Sequence, residues 1–298
     1  MRFHQALTFI PTRDALELAK EIDKQGYDGI YVSDHMFFPR DLSSRYTYST
    51  AEDGKPFWEP ETEWPDAWCF IAAMAGATRT VRFTTGVYVA PARDLITVAK
   101  QVGTTAVLSD GRVNMGVGVG WCKEEFEATG QDFHTRGKRL DEMIPALRAI
   151  WSKGWVEYHG HFYDVPAMRM EPAPAAPIPI YGGGHSAPAL RRAATLCDGW
   201  IAAGAYTADE AREHLSGLHE ALRAAGREGE RFDVLLSLLE SPDVDLYRRF
   251  EEEYGVTDMI CAPSMTVPLG PDDSAQLKHR KRVDASARFA EEFVQKLQ

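Results

Sequence analysis

The sequence predicts an α/β fold closed into an eight-stranded parallel barrel. Three observations carry that expectation. Short apolar runs of strand character alternate with amphipathic helical stripes from end to end, and such alternation builds a parallel sheet. Eight such units fall within 298 residues, a length at which they close into a barrel. No low-complexity linker interrupts the rhythm, so residues 1–298 read as one domain.

Phe3–Ile10 reads as the first strand. Thr12 is placed to cap a helix striped by Ala15, Leu18, Ala19 and Ile22, which stops at Gly26. Tyr27–Val32 is the second strand, followed directly by Ser33-Asp34-His35. The long irregular segment from Met36 to Pro65 carries Phe37, Phe38, Tyr46, Tyr48, Phe57, Trp58 and Trp64. Disordered segments are poor in aromatics, so this one is expected to fold over the barrel mouth and line an apolar pocket. A homodimer contact is the other use for such a surface.

Ala67, Trp68, Ile71, Met74 and Ala75 stripe the second helix, and Val81–Val89, with Gly86 inside it, is the third strand. Leu95, Val98, Ala99, Val102 and Ala106 stripe the third helix. The breaker Ser109-Asp110-Gly111 then leads into strand four, Val113–Val117. Leu140, Met143, Ile144, Leu147 and Trp151 stripe the fourth helix. A small added hairpin near Trp155–Val165 and a proline-rich stretch, Pro166–Pro179, break the rhythm. Ile178–Tyr181, Asp198–Ala202, Phe232–Leu239 and Val256–Cys261 complete the strands. Thr207 and Glu210 form a capping-box pair ahead of Ala211, Leu215, Leu218 and Leu222. Gly255 stops the next helix, and a last one carries Val283, Ala287, Ala290, Phe293, Val294 and Leu297.

Composition narrows the function. A formal net charge of −11 argues against nucleic acid or an anionic membrane as partner. The four cysteines are scattered without a C-x-x-C pair. That pattern suggests neither zinc nor disulfides and fits a reducing cytoplasm. No apolar stretch approaches a membrane span. The apolar run at the N-terminus is too short for a signal peptide. His159 and His161 lack a third ligand at helpful spacing, so no metal is expected.

In barrels of this kind the active site lies where strands end and helices begin. Four sets of residues would therefore converge on one mouth: Asp34-His35, Tyr88–Arg93, Gly118–Glu124 and Gly182–Ser186. Gly116, Gly118 and Gly120 strip one face of the end of strand four. They leave a ledge for a flat ligand or for another backbone, or they relieve crowding between tilted strands. A dinucleotide fingerprint is not the reading, because the spacing is G-x-G-x-G and the strand is the fourth. Gly182-Gly183-Gly184-His185-Ser186 turns from a strand into a helix N-terminus, where free N–H groups suit a phosphate. Ser186 is placed to cap that helix and to donate its hydroxyl. His35, beside Asp34, is placed to orient a ring or move a proton, work to which the histidine side chain is suited. Arg112 and Asp198, at strand bottoms, read as structural.

Ser33-Asp34-His35, Gly86-Val87-Tyr88-Val89-Ala90-Pro91-Ala92-Arg93-Asp94, Gly111-Arg112 through Gly120-Trp121, Arg136-Gly137-Lys138-Arg139, and Arg191-Arg192-Ala193-Ala194 with Asp198-Gly199-Trp200 recur in this order. The set resembles the bacterial luciferase-like monooxygenase superfamily, in particular its coenzyme F420-dependent branch, from about Phe3 to Pro263. The resemblance implies a TIM-like barrel that binds F420, or alternatively FMN, at the C-terminal mouth. It implies a tricyclic ring laid against a bulge after strand three, around Gly86, Val87 and Tyr88, with a non-proline cis peptide at Gly86-Val87. It implies the cofactor phosphate at the Gly183–Ser186 turn and Asp34 and His35 beside the ring. The implied reaction is hydride transfer at the ring C5 carbon to or from a small organic substrate, with the cofactor supplying the chemistry. Two departures bear on the substrate. Met36-Phe37-Phe38-Pro39 lacks the tryptophan that follows the Asp-His pair in the sugar-phosphate dehydrogenases of this branch. Trp121 stands after Gly120, with Glu124 and Glu125 as the nearest acids. These differences argue against sugar-phosphate oxidation and for a hydrophobic carbonyl or enone compound. The competing expectations are an FMN-dependent monooxygenase using oxygen and a non-catalytic flavin- or ligand-binding protein.

Overall fold

The computed structural model describes residues 1–49 and 52–298. Its strands are β1 (Arg2–Ala6), β2 (Gly29–Val32), β3 (Arg82–Thr85), β4 (Val113–Val117), β5 (Val156–His159), β6 (Asp164–Met168), β7 (Ile180–Gly183), β8 (Gly199–Ile201), β9 (Asp233–Leu236) and β10 (Asp258–Cys261). Eight of them form a closed parallel barrel in the order β1-β2-β3-β4-β7-β8-β9-β10, and β10 returns to pair with β1. The fold is therefore the (βα)8 barrel expected from the alternation. The remaining two, β5 and β6, make the added antiparallel hairpin. Its turn is held to the rest of the molecule by Glu142, whose carboxylate accepts from the His161, Phe162 and Tyr163 N–H groups at 2.8–3.0 Å.

Every position of β2, β4 and β10 is buried, as a parallel sheet covered by helices requires. Outward residues such as Phe3, Ile30 and Phe83 pack in one large core with the stripes of α1 (Thr12–Lys24), α2 (Ala67–Ala77) and α3 (Leu95–Leu108). Inward residues Ala6, Tyr31, Tyr181, Ile201, Leu235 and Ile260 form a separate cluster inside the barrel. The bottom is closed by charge. Arg2 bonds Asp233 and Asp258 at 2.8 and 2.6 Å, and His4 meets Asp258 at 2.8 Å. The predicted structural roles hold: Arg112 donates to Ser109, Val81 and Ala75 carbonyls, and Asp198 accepts from Arg148 and from the Ile180 N–H.

Among the described residues the remaining α-helices are α4 (Lys123–Ala128), α5 (Arg136–Ile150), α6 (Ala187–Leu196), α7 (Ala208–Ala224), α8 (Val244–Tyr254), α9 (Pro263–Thr266), α10 (Ala275–Phe289) and α11 (Gln295–Leu297). The capping box of Thr207 and Glu210 starts α7, and Gly255, at φ +68°, stops α8. Three local expectations need correction. Thr12 does not cap α1 with its side chain; Pro11 holds the cap position and the Thr12 N–H donates to Glu63. Ser186 holds the cap position of α6 but makes no capping bond. Strand three ends at Thr85 rather than Val89: the Gly86 N–H still donates to the Val32 carbonyl at 2.7 Å, and the regular ladder stops there, at the non-proline cis peptide Gly86-Val87 expected from the resemblance. Pairing resumes only as a single bridge from Tyr88 to Val117.

Candidate active site

A cavity of about 810 Å³ opens at the C-terminal end of the barrel. Its lining comes from the C-terminal ends of all eight barrel strands and the segments that follow them, including Ser237 after β9 and Ala262 and Met265 after β10, together with the aromatic loop between β2 and α2. A larger cleft, about 1150 Å³, lies at the opposite end among Arg2, Arg223, Arg227, Asp233 and Tyr254. It is away from the strand C-termini, and the chemistry-bearing residues converge on the smaller cavity.

Of the residues expected at the site, Asp34, His35, Gly86, Val87, Gly118, Gly120, Gly183, Gly184, His185 and Ser186 line this cavity. Tyr88 and Gly182 do not. The Tyr88 ring is fully buried beneath the Arg93 guanidinium and edge-on to Trp68. Gly182 faces α6, where a Cβ would stand 2.9 Å from Ala193.

Asp34 is buried and does not bond to His35. Its carboxylate accepts twice from Arg93, each at 2.8 Å, and once from the Val89 N–H at 2.9 Å. Arg93 also donates to the Val89 carbonyl. Burial pushes the Asp34 carboxyl above its ordinary pKa, against the pull of Arg93 and Val89. The pair ties the end of β2 to the chain that follows the bulge. From the other side, the Tyr31 hydroxyl donates to the Gly86 carbonyl at 2.5 Å.

The glycines of β4 and β7 make room for that bulge. A Cβ on Gly118 would stand 2.4 Å from Val87 Cγ2, and one on Gly183 would stand 2.3 Å from Val87 Cγ1. One on Gly120 would meet Val89 at 2.5 Å. On Gly116 it would meet the Thr85 carbonyl oxygen at 1.9 Å. Of the two readings of the glycine ledge, close backbone and side-chain approach accounts for the Cβ directions. The surface turned to the cavity here is the Val87 side chain, against which Gly118 and Gly183 lie.

His35 has a different partner from the one its sequence neighbour suggests. Its Nδ1 lies 3.1 Å from Glu125 Oε1, and the same oxygen accepts from the Met36 N–H at 2.8 Å. Glu125 is 1% exposed, on the inner face of the short helix α4 beside Phe126. Three indoles surround the imidazole: Trp64 at 4.9 Å, Trp58 at 5.1 Å and Trp121 at 5.6 Å between centroids. Tyr46 packs edge-on to Trp58 and Trp121. The aromatic loop thus folds over the mouth as expected. It is pinned by Glu124, whose two oxygens accept the hydroxyls and N–H groups of Ser43 and Ser44 at 2.7–3.2 Å. Partial burial works against ionisation of Glu124, but these hydrogen bonds hold its carboxyl down at about 2.

The turn from β7 into α6 leaves backbone donors without acceptors. Gly184 takes φ +102°, a conformation suited to glycine. Among the described residues, no protein group accepts from the N–H groups of His185, Ser186 or Ala187. Such orphan donors at a helix N-terminus suit a phosphate. His185 Nδ1 is 3.2 Å from the Tyr206 hydroxyl, and its ring stacks on His214 at 4.6 Å. Burial and the neighbouring His185 push the His214 imidazole below its ordinary pKa. Burial pushes the Tyr48 phenol, which packs against His185, up to about 12, so it stays a neutral donor.

The residues fit a flat, largely apolar group with a phosphate at one end. The floor is Val87, the walls are indole and phenol, and the only unpartnered backbone donors named above lie at the β7–α6 turn. The Arg136 guanidinium stands at the rim, 3.7 Å over the Phe133 ring.

A parallel barrel with such a slot at its C-terminal mouth is a TIM barrel whose cavity has the size of a small-molecule or cofactor site. The chain belongs to the luciferase-like monooxygenase family, whose sequence profile matches residues 4–243. An uncharacterized protein of Mycobacterium tuberculosis is 35% identical over 277 residues, covering 91% of this chain and 92% of its own. An F420-dependent glucose-6-phosphate dehydrogenase of Segniliparus rotundus is 29% identical over 239 residues, covering 78% of this chain and 66% of its own. Among solved structures, a monooxygenase from Streptomyces bottropensis superposes with a TM-score of 0.73 over the full length of both chains, at 16% identity. Members of this family are oxidoreductases and monooxygenases that use F420 or a flavin.

Proposed function

We propose that this protein is an F420-dependent oxidoreductase acting on a small, apolar carbonyl or enone compound. The observation that carries the reading is the convergence of three features in one cavity. These are the Val87 floor, the orphan N–H turn at His185–Ala187, and a histidine set among three indoles. The named activity of the Segniliparus rotundus relative supports a deazaflavin. A bound deazaflavin supplies two-electron hydride chemistry.

The chain's own residues do the rest. The turn before α6 holds the phosphate. Val87, fixed by Asp34, Arg93 and the glycines, supports the ring. Trp58, Trp64, Trp121 and Tyr46 exclude water and hold an apolar substrate. Protons enter and leave at His35 Nε2. The indole-rich mouth argues against a sugar phosphate as substrate, which would need a second anion site.

The test is a titration of the purified protein with F420 and with FMN. Tighter binding of F420 is the expected result. Tighter binding of FMN would replace the reading with a flavin monooxygenase. Binding of either, with no turnover of any carbonyl or enone, would make the protein a ligand binder.

A further inference from the structure

We infer that Glu125 is the positioning residue of His35, fixing the ring proton on Nδ1 so that Nε2 presents its lone pair to the cavity. The inference rests on the reading of His35 as the group that handles protons at this site. Glu125 Oε1 accepts from the Met36 N–H at 2.8 Å, so it is an acceptor oxygen, and it faces His35 Nδ1 at 3.1 Å. An acceptor there demands a donor on the ring, which places the proton on Nδ1 of the neutral imidazole. Among the described residues no group bonds Nε2. The neighbours on the other sides of the ring are the uncharged Trp58, Trp64 and Trp121. Asp34, the adjacent acid, is occupied by Arg93 and Val89. Glu125 therefore does for His35 what a buried carboxylate does for any catalytic imidazole: it selects one tautomer and one ring orientation. A neutral ring in this state accepts a proton at Nε2, and the imidazolium returns one from the same atom.

The experiment is long-range nitrogen–proton NMR of the full chain labelled with 15N-histidine, with His35 assigned by its loss in His35→Asn. The expected result in the wild type is the Nδ1–H tautomer at a pH where the ring is neutral. Glu125→Ala should move His35 to the Nε2–H form or to an averaged mixture. Glu125→Gln keeps an acceptor oxygen, so it should restore the Nδ1–H form, and it also serves if the alanine variant fails to fold. A wild-type ring protonated at Nε2, or a Glu125→Ala ring with its tautomer unchanged, would overturn the proposal. Single-turnover rates separate the two layers. The loss in Glu125→Ala should not exceed the loss in His35→Asn, roughly 10²–10⁴-fold. A His35→Asn enzyme as fast as wild type would sink the functional reading and leave the tautomer assignment standing.

Discussion

Both carboxylate oxygens of Asp34 accept from the Arg93 guanidinium at 2.8 Å. The acid that precedes His35 in sequence thus belongs to the bulge after β3, and the histidine takes its acid from 90 residues further on. Removing Asp34 leaves Arg93 buried and unpaired, which costs about 3–5 kcal/mol. Asp34→Ala should lower the urea midpoint accordingly and weaken cofactor binding as the bulge loosens. Replacing both partners by apolar residues, Asp34→Leu with Arg93→Met, should recover most of the stability. A double variant no more stable than Asp34→Ala would show that the pair is not what secures this segment.

The contacts of Val87 with Gly118 and Gly183 predict a rescue. In Gly118→Ala the new Cβ would stand 2.4 Å from Val87 Cγ2, so the side chain must shift. The barrel should still fold, and cofactor affinity should fall because the floor of the slot has moved. Adding Val87→Ala removes the clashing methyl groups and should restore part of the affinity. Gly116→Ala should behave differently. Its Cβ would meet a backbone oxygen at 1.9 Å, and no side-chain change relieves that. Circular dichroism melts of the three variants distinguish these cases. A Gly116→Ala protein that melts like wild type would refute the packing argument.

The clamp between Glu124 and the serines of the aromatic loop is pH-dependent, with a definite sign. The carboxyl is held at about 2 in the folded chain, below its ordinary value of 4.5. A depressed carboxyl contributes stability that is fully present above the ordinary value and is lost as pH falls toward the folded one. The loop over residues 43–48 should therefore loosen progressively from about pH 5 to about pH 2. Hydrogen exchange of the Ser43 and Ser44 amides reads this directly. In Glu124→Ala those amides should exchange rapidly at neutral pH, and the acid-dependent step in their protection should vanish. Protection that persists in the variant would assign the anchoring to other groups.

The barrel was legible because its signal is repetitive. Apolar stripes at helical spacing, such as Ala15, Leu18, Ala19 and Ile22, became the buried face of α1. The run Val113–Val117 became a strand buried at every position. The end of β3 was not legible from pattern alone. Val81–Val89 keeps β-branched and aromatic residues on both sides of Gly86, so strand propensity alone does not mark where the ladder breaks. The resemblance to a known family supplied the cis peptide where periodicity could not. The pairing of His35 was missed for a reason of distance. Glu125 sits in Lys-Glu-Glu-Phe-Glu, which reads as a solvated turn of helix. The one local hint is its place beside Phe126 on the face of α4 that turns inward. The partnership itself exists only once the barrel brings the ends of β2 and β4 together.

His35 is held on one side and open on the other. Its Nδ1 is engaged by Glu125, three indoles pack around the ring, the residue lines the cavity, and among the described residues no group bonds Nε2. If protons pass through that atom, its removal should lower the chemical step by roughly 10²–10⁴-fold. Affinity for the cofactor should change much less, because the orphan N–H groups at the β7–α6 turn and the Val87 floor are untouched. His35→Asn is the substitution of choice. The shorter amide stays polar and has a donor that can face Glu125, so the acid is not abandoned in its apolar surroundings. Single turnover from prebound reduced F420 isolates chemistry from cofactor exchange, and a parallel titration gives affinity. Slow chemistry at unchanged affinity is the expected pair of results. Wild-type rates would reduce His35 to a packing residue of the aromatic wall. Normal chemistry per bound cofactor, with affinity lost, would make it a binding residue.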